Sequence, residues 1–294
     1  MARSVFLGLD ATADTTRLPS PALWRGFPSR NDIAEGKVDG IYDGDDFVAP
    51  GDEDGNDTGG YERYIDTGNT IRTVASNTTA VATGLRGGVL RMSTDATDND
   101  GPVIQRTSAN GAGLFLLGNT AGATWPFCFE CRIKKSSITN NQAAFFAGLA
   151  QVAAAADNGL LDDDAGDIVN SISAIGFRVK QDAGSELDFA YQDSGQTAPT
   201  ETIANIQAMV AATWIKVGFR YDPQQVAAEK ISIYVNNVRQ STYITTALID
   251  ATEFPENDAM CVTFGVKNGE ATAVDFDIDW WHAMQVYDDS YYAR

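Results

Sequence analysis

The stretch Thr213–Ile244, TWIKVGFRYDPQQVAAEKISIYVNNVRQSTYI, decides the fold. Its first part alternates apolar and polar residues with a period of two, which predicts a strand with one buried face. Asp222-Pro223 ends that strand, because proline offers no N–H to a β-ladder. A second alternating run, KISIYV, leads to Asn236-Asn237, and asparagine tolerates the left-handed conformation of a tight hairpin turn. The stretch therefore predicts a three-stranded antiparallel meander.

The paired runs WIKVGFRYDP and KISIYVNNVRQST resemble two strands of the concanavalin A-like lectin/glucanase superfamily, in its laminin-G-like branch. In that branch a Tyr-Val-Asn-Gly turn leads into the return strand, and this chain has Asn237 in place of the glycine. The run IDWWHAMQVY, residues 278–287, is similar to the closing strand of the family. The resemblance covers residues 41–294 and implies an antiparallel β-sandwich of the jelly-roll type, although it implies no activity by itself.

Short alternating runs separated by turn residues recur from residue 40 onward, which is typical of a sandwich or barrel. The run WPFCFECRIKK, residues 125–135, resembles the central strand of the family. The segment 152–170, VAAAADNGLLDDDAGDIVN, breaks the rhythm, since alanine favours a helical turn and Gly159 ends it. We therefore predict one all-β domain over residues 41–294, with an insertion near 152–170 on one rim and under about a tenth of the residues in helices.

Residues 1–40 differ from the rest of the chain and are predicted to form an extended N-terminal arm. Three prolines punctuate RLPSPALWRGFPSRNDI, residues 17–33, so this part cannot lie inside a sheet, yet it is too apolar for plain disorder. Two interpretations remain open: the arm packs on its own domain, or it docks on a neighbouring subunit. In the second interpretation the residues that contact the partner are Leu18, Leu23, Trp24 and Phe27.

The chain is strongly acidic, with 40 acidic against 21 basic residues and a formal net charge of −19. Phosphate binding needs a basic surface, so we expect neither nucleic acid nor an anionic membrane as the main partner. No apolar run of about 18 residues occurs, so no membrane span is expected. The apolar run in MARSVFLGLDAT is also too short for a signal peptide.

Cysteine usage is low. Cys128 and Cys131 lie three residues apart in a predicted strand and should point to opposite faces, and Cys261 lies far from both in the sequence. A redox pair or a zinc site is one interpretation, and buried small hydrophobic residues are the favoured one. The absence of a disulfide framework indicates synthesis in a reducing cytosol.

Asp275, Asp277 and Asp279 alternate in VDFDIDW and are predicted to share one strand face, with successive Cα atoms about 7 Å apart. Glucanases that resemble this fold carry Glu-x-Asp-x-Glu or Glu-x-Asp-x-x-Glu, whose outer glutamates act as nucleophile and acid. Spacing alone does not exclude a glycosidase, but both glutamates are missing here, which favours a solvated polar face. We therefore predict no catalytic residue and no enzyme, and we interpret the single histidine, His282, as structural.

Several acidic loops raise the question of calcium, which takes about six to eight oxygen ligands. None of the loops has the EF-hand spacing. The resemblance implies a rim calcium in many laminin-G-like domains, but no motif for it maps onto this chain. The candidate ligands are Asp95, Asp98 and Asp100, and solvation of negative charge is the favoured alternative. No other cofactor is expected.

The missing catalytic pair, the arm and the acidic surface favour a non-enzymatic virion protein, most specifically a bacteriophage capsid decoration or cement protein. The resemblance supports this, since phage particles often use jelly rolls on heads, tails and fibres. Such a protein would be made in the host cytoplasm, reside in the virion, contact capsid or other virion proteins and form a homo-oligomer. The alternative is a carbohydrate-binding, lectin-like module of a phage tail or fibre, with exposed Trp or Tyr stacking on sugars. A glycoside hydrolase is the weaker alternative.

Overall fold

The computed structural model of this chain describes residues 18–47, 61–64, 70–75, 88–107, 113–117, 125–152, 154–155, 160–163, 165–196, 201–255 and 258–287. The structure is 48% strand and 6% helix, which confirms the all-β prediction. Within the described ranges, no helix is long and apolar enough to cross a membrane.

The secondary structure is a succession of short strands. The strands, in chain order, are β1 (Gly40–Asp45), β2 (Tyr61–Tyr64), β3 (Thr70–Ala75), β4 (Gly88–Ser93), β5 (Val103–Arg106), β6 (Phe115–Leu116), β7 (Phe127–Lys135), β8 (Ala143–Gln151), β9 (Ala174–Val179), β10 (Glu186–Gln192), β11 (Glu201–Ala208), β12 (Ile215–Tyr221), β13 (Ile231–Val235), β14 (Val238–Ile244), β15 (Ala259–Asn268) and β16 (Asp275–Val286). The α-helices are α1 (Arg30–Ala34) and α2 (Thr246–Ile249), and a 3-10 helix spans Gln181–Ala183.

The strands form two antiparallel sheets that pack face to face. Sheet A has the order β14-β13-β12-β7-β16-β4-β3, and β1 also pairs with β16. Sheet B has the order β11-β10-β9-β8-β15-β5-β2, and β6 also pairs with β15. Strands from both ends of the described chain, β1 and β16, thus lie side by side, as the resemblance of residues 278–287 to a closing strand implies.

The predicted meander is present as β12, β13 and β14 in sheet A. The turn between the last two strands consists of Asn236 and Asn237, which have φ angles of 47° and 71°. Both residues therefore adopt the left-handed conformation that the sequence predicts for a two-residue hairpin turn. The return strand β14 is more exposed than β13, because it forms the edge of sheet A.

The core lies between the sheets and is rich in phenylalanine. Phe129, Phe177, Phe189 and Phe219 are fully buried, and the Phe219 ring centroid lies within 5.2–6.5 Å of the other three rings. Burying one such side chain contributes about 1.5–3 kcal/mol to stability. The apolar residues of the alternating runs are therefore the ones that face inward.

The insertion lies elsewhere than the sequence predicts. Its apolar residues, among them Leu160, Leu161 and Ile168, pack with Ala144 and Phe146 on the outer face of sheet B. The prediction of an insertion on one rim of the sandwich is therefore wrong: the segment covers a sheet face. The physical reason is that the outward positions of β8 are small or apolar, so this face of the sheet is stabilised when a segment covers it and excludes water.

Candidate functional sites

The described part of the arm, residues 18–38, lies on the outer face of sheet A. Leu23 is fully buried there, beside Cys128 and Tyr234. Its position depends on Gly218 in the middle of β12, since a Cβ on that glycine would lie 2.5 Å from Leu23 Cδ1. The glycine therefore leaves the space in a polar strand face into which an apolar side chain from the arm fits.

Glu130 is the main polar anchor of the arm. Its carboxylate accepts hydrogen bonds from the Ser20 backbone N–H at 2.9 Å, from the Ser20 hydroxyl, and from Trp24 Nε1 at 2.6 Å. Burial raises the pKa of Glu130, while the Ser20 hydrogen bonds and the charge of Lys216 oppose that rise. A carboxylate that accepts three donors from one segment fastens that segment to the sheet, because the arm completes its hydrogen bonding.

Two cations of β12 bind carbonyl oxygens of the arm. Lys216 donates to the Leu18 carbonyl and, at 2.5 Å, to the side chain of Asn237. Arg220 donates to the Arg25 carbonyl at 2.5 Å, and its guanidinium lies 5.1 Å from the centroid of the Phe27 ring. We call the groove formed by Gly218, Glu130, Lys216 and Arg220 the arm-binding site.

In the described part of the arm these contacts are made within the chain, as the first of the two interpretations has it. Leu23 is fully buried against sheet A of its own chain, and its contact with a partner stays a prediction. Leu18, Trp24 and Phe27 are partly buried, and Trp24 and Phe27 also pack near β16. The physical reason is that charged side chains of sheet A bind the backbone of the arm, and Gly218 leaves space for Leu23. Residues 1–17 of the predicted arm lie outside the described residues.

The three alternating aspartates occupy one strand, but they do not form a solvated face. Asp277 is almost fully buried between two cations, with Arg91 Nε 2.7 Å from Oδ1 and Lys134 Nζ 2.9 Å from Oδ2. Asp279 is fully buried and forms an ion pair of 2.7 Å with Arg132. The prediction of solvation is therefore wrong for both residues, because cations from neighbouring strands compensate their charge.

A β-bulge also changes the predicted spacing of these aspartates. The ladder between β16 and β7 shifts register between Ile278 and Trp280. Ile278 and Trp281 both face the core, so two residues rather than one lie between them on the outer side. Asp275 and Asp277 keep the alternation, and both contact Arg91, whereas Asp279 is displaced toward Arg132.

The residues around the predicted calcium site form a hydrogen-bonded loop. The Asp95 carboxylate accepts the Thr97 backbone N–H at 2.7 Å, and Asn268 donates its backbone N–H to the Asp100 carbonyl at 2.9 Å. Among the described residues, no three or more His, Cys, Asp or Glu side chains group so as to hold a metal ion. The structure therefore does not bring Asp95, Asp98 and Asp100 together as a cluster.

His282 lies on the outer face of β16, within an aromatic group. Its Nδ1 is 2.6 Å from the Tyr42 hydroxyl, its ring stacks on Tyr42 with a centroid separation of 5.9 Å, and the tilted Trp280 ring lies 5.1 Å away. Burial, with a smaller contribution from Arg30, lowers the pKa of His282 to about 4. A neutral ring enclosed by aromatic residues agrees with a structural role.

Cys128 and Cys131 are buried and occupy different faces of sheet A. Cys131 lies in the core between the sheets, whereas Cys128 lies under Leu23 on the outer face of sheet A. This confirms the prediction that the two point to opposite faces. Burial raises the pKa of both thiols well above the usual value, so neither is activated as a thiolate.

An open cleft of about 770 Å³ lies at one end of sheet B, and no sequence pattern predicts it. It is lined mainly by charged and polar side chains, including those of Asp167, Arg178, Lys180, Glu186 and Asp188. Arg178 lies close to Asp167, and burial lowers its pKa. These residues come from the insertion, β9 and β10, so no local motif could have indicated that they meet.

No family model matches this chain, and no curated protein matches it either. Similarity appears among solved structures. An endo-1,3-β-glucanase from Streptomyces sioyaensis has a TM-score of 0.52 at 13% identity, covering 84% of this chain and 97% of that one. A protein of unknown function from Shewanella oneidensis MR-1 has a TM-score of 0.49 at 12% identity, covering 88% and 95%.

Peanut lectin is also similar, with a TM-score of 0.44 at 12% identity, covering 85% of this chain and 98% of the lectin. At such identities the likeness concerns the fold alone. The two-sheet topology and the likeness to the glucanase show that the chain has a jelly-roll β-sandwich fold.

Proposed function

We propose that this chain is a non-enzymatic structural protein of a virion, and specifically a bacteriophage capsid decoration protein. The observation that carries the proposal is the covering of both sandwich faces by the chain's own segments. The arm lies on the middle of sheet A, and the insertion lies on sheet B. Charged groups that could do chemistry on those faces are used to hold the covers in place.

The carboxylates of β16 support a non-catalytic role. A glycosidase acid must hold and release a proton beside the substrate. Asp277 lies between Arg91 and Lys134, and Asp279 is buried in an ion pair with Arg132. Both carboxylates are buried ion-pair partners within sheet A, an arrangement that keeps them from a substrate.

The charge supports display on the outside of a particle. A net charge of −19 disfavours binding to packaged nucleic acid and limits nonspecific association between copies. A decoration protein must remain dispersed until it meets its capsid site, and an acidic, closed sandwich suits that requirement.

The test is reconstitution with capsids built from the major capsid protein encoded nearest to this chain. Purified protein is mixed with expanded, undecorated capsids, sedimented, and imaged by cryo-electron microscopy. We expect saturable co-sedimentation and density of jelly-roll shape at symmetry-related positions. Absence of binding to both expanded and unexpanded capsids would contradict the proposal.

Carbohydrate binding is the second candidate, and the open cleft on sheet B favours it. Its side chains include two cations, Arg178 and Lys180, and the carboxylates of Asp182, Glu186 and Asp188. Its volume lies within the usual range of about 300–1,000 Å³ for ligand sites, and mixed donors and acceptors suit hydroxyl groups. In a glycan array, binding that is lost in Lys180→Ala and Glu186→Ala variants, but kept in Arg239→Ala, would support this candidate over the first.

A further inference from the structure

We propose that the arm-binding site on sheet A is a peptide-recognition site, and that residues 18–27 of a second copy of this chain can occupy it in place of the chain's own segment. Copies would then be linked by exchanged arms. The inference goes beyond capsid decoration, because it concerns contacts between copies and holds whether or not a capsid is the partner.

The arm-binding site is built by the sheet and is independent of the arm. Gly218 pairs with Glu130 on β7 and with Tyr234 on β13, so ladder hydrogen bonds fix all three positions. The inward neighbours Phe129 and Phe219 are fully buried in the core. Because the sheet and core determine the shape of the site, it should persist when the arm is absent.

Recognition relies mainly on the backbone of the arm. Glu130 accepts the Ser20 N–H, while Lys216 and Arg220 donate to carbonyl oxygens of residues 18, 23 and 25. Two side chains add specificity: Leu23 fills the space above Gly218, and the Trp24 indole N–H binds Glu130. A buried leucine and a partly buried tryptophan beside satisfied polar groups are features of a peptide-binding interface.

The bound segment is a compact unit, and the connection that follows it is anchored near β1. Within the segment, the N–H groups of Leu23 and Trp24 both donate to the Ser20 carbonyl, which closes a local turn. The connection contains α1, none of whose residues is buried, and it ends at Val38, which is buried against β16. The turn can therefore dock as a unit, while Val38 keeps the connection attached to its own chain.

The arm-binding site is unfavourable when it is empty, and a second copy of the chain carries the segment 18–27 that fits it. Without the arm, Glu130 loses the donors of Ser20 and Trp24, and the apolar surface of Cys128 and Tyr234 meets water. A second copy offers the same ten-residue sequence, and the high effective concentration within an assembly favours exchange.

The first experiment uses the full-length chain with Leu23→Ala and Trp24→Ala, which weakens its own arm and leaves the site intact. A fluorescein-labelled peptide of residues 18–27 is titrated and followed by anisotropy, with folding checked by circular dichroism. We expect saturable binding, weakened at least about tenfold by adding Gly218→Val to the chain or Trp24→Ala to the peptide. The peptide variant leaves the protein unchanged, so its effect does not depend on folding of the chain variant. Equal binding of both peptides, no binding, or an unfolded double variant would overturn the proposal.

The second experiment tests exchange between intact chains. The Leu23→Ala/Trp24→Ala chain keeps its site and has a defective arm, whereas the Gly218→Val chain keeps its arm and has a blocked site. Native mass spectrometry of the mixture should show heterodimers, while each variant alone stays predominantly monomeric. If no heterodimer forms at concentrations where the peptide saturates the site, the segment acts only within its own chain and exchange is wrong.

Discussion

The arm covers the outer face of sheet A, and the insertion covers the outer face of sheet B. The two segments are placed in the same way, but different interactions hold them. On sheet A, Leu23 of the arm lies over Gly218, and on sheet B, Leu160 of the insertion lies over Gly265, where an added Cβ would come within 2.5 and 2.7 Å of the respective leucines. A glycine in the middle of each sheet thus receives a leucine from a distant segment. Around Leu23 the contacts are largely hydrogen bonds to charged groups, whereas Leu160 belongs to a continuous apolar cluster.

The difference in chemistry indicates that the insertion is part of the folded core, whereas the arm can detach locally from sheet A. The apolar side chains between the insertion and sheet B are closely packed against one another. Disrupting one of them therefore weakens the whole cluster. The arm is held by polar contacts to one turn and by two small apolar clusters, which contain Leu23 and Val38. We therefore expect global unfolding to depend on the insertion and local opening to depend on the arm.

The largest effect should come from Leu160→Ala. This side chain is fully buried, so its truncation removes apolar contacts and leaves a cavity, lowering the free energy of unfolding by about 2–5 kcal/mol. Urea unfolding followed by tryptophan fluorescence measures the change. The exposed Val226→Ala is the control, expected within about 0.5 kcal/mol of wild type. If Leu160→Ala lowers the free energy of unfolding by less than about 0.5 kcal/mol, the insertion is not part of the core.

Leu23→Ala should have a smaller effect on global unfolding and a larger one on the arm. The truncation vacates the space above Gly218, so the arm opens more often while the sheets remain folded. Trypsin cleavage after the exposed Arg25 should accelerate by about tenfold, because cleavage follows the open population. Peptide mass spectrometry over time measures this rate, with Leu160→Ala as the comparison. If the two variants accelerate cleavage equally, the distinction between the covers fails.

His282 lies beneath the arm on sheet A, and its protonation should make the stability of the protein depend on pH. The folded state holds the pKa of His282 at about 4, against a usual 6.5, so the unfolded chain takes up a proton first. Stability should therefore fall as pH is lowered through that interval, by on the order of 1 kcal/mol. Urea unfolding at several pH values should give a shallower dependence for His282→Gln.

The comparison of His282→Gln with wild type isolates the histidine. Glu130, whose raised pKa acts with the opposite sign, is present in both proteins and cancels. Parallel pH dependence in the two proteins would show that His282 is protonated equally in the folded and unfolded chains.

The smallest effect should come from an ion pair outside both covers. Arg239 and Glu229 lie 2.8 Å apart, and each side chain is about a third exposed, at 36% and 33%. Solvent screens such a pair, so Arg239→Ala should cost less than about 1 kcal/mol. Thermal unfolding at low and high salt measures it, and a larger, salt-independent loss would indicate that β14 contributes more to the core than its exposure suggests.

The sequence by itself determined the strands, the meander turn and the all-β class. Alternation from Ile215 to Tyr221 and the Asn236-Asn237 turn are local signals, since strand period and turn conformation depend on neighbouring residues. The same alternation predicted the opposite faces of Cys128 and Cys131 correctly. These features could be predicted because no contact with a distant segment is needed to produce them.

Only the tertiary structure decided what covers the outward faces. Alternation identifies a polar strand face, but it does not tell whether that face meets water or another segment of the chain. Glu130 meets Ser20, which is 110 residues away, and Asp277 and Asp279 meet cations of neighbouring strands. The bulge at Ile278 and the fit of Leu23 over Gly218 also depend on long-range packing. The sites differ from their sequence predictions because burial and charge compensation arise between segments, and no local pattern encodes them.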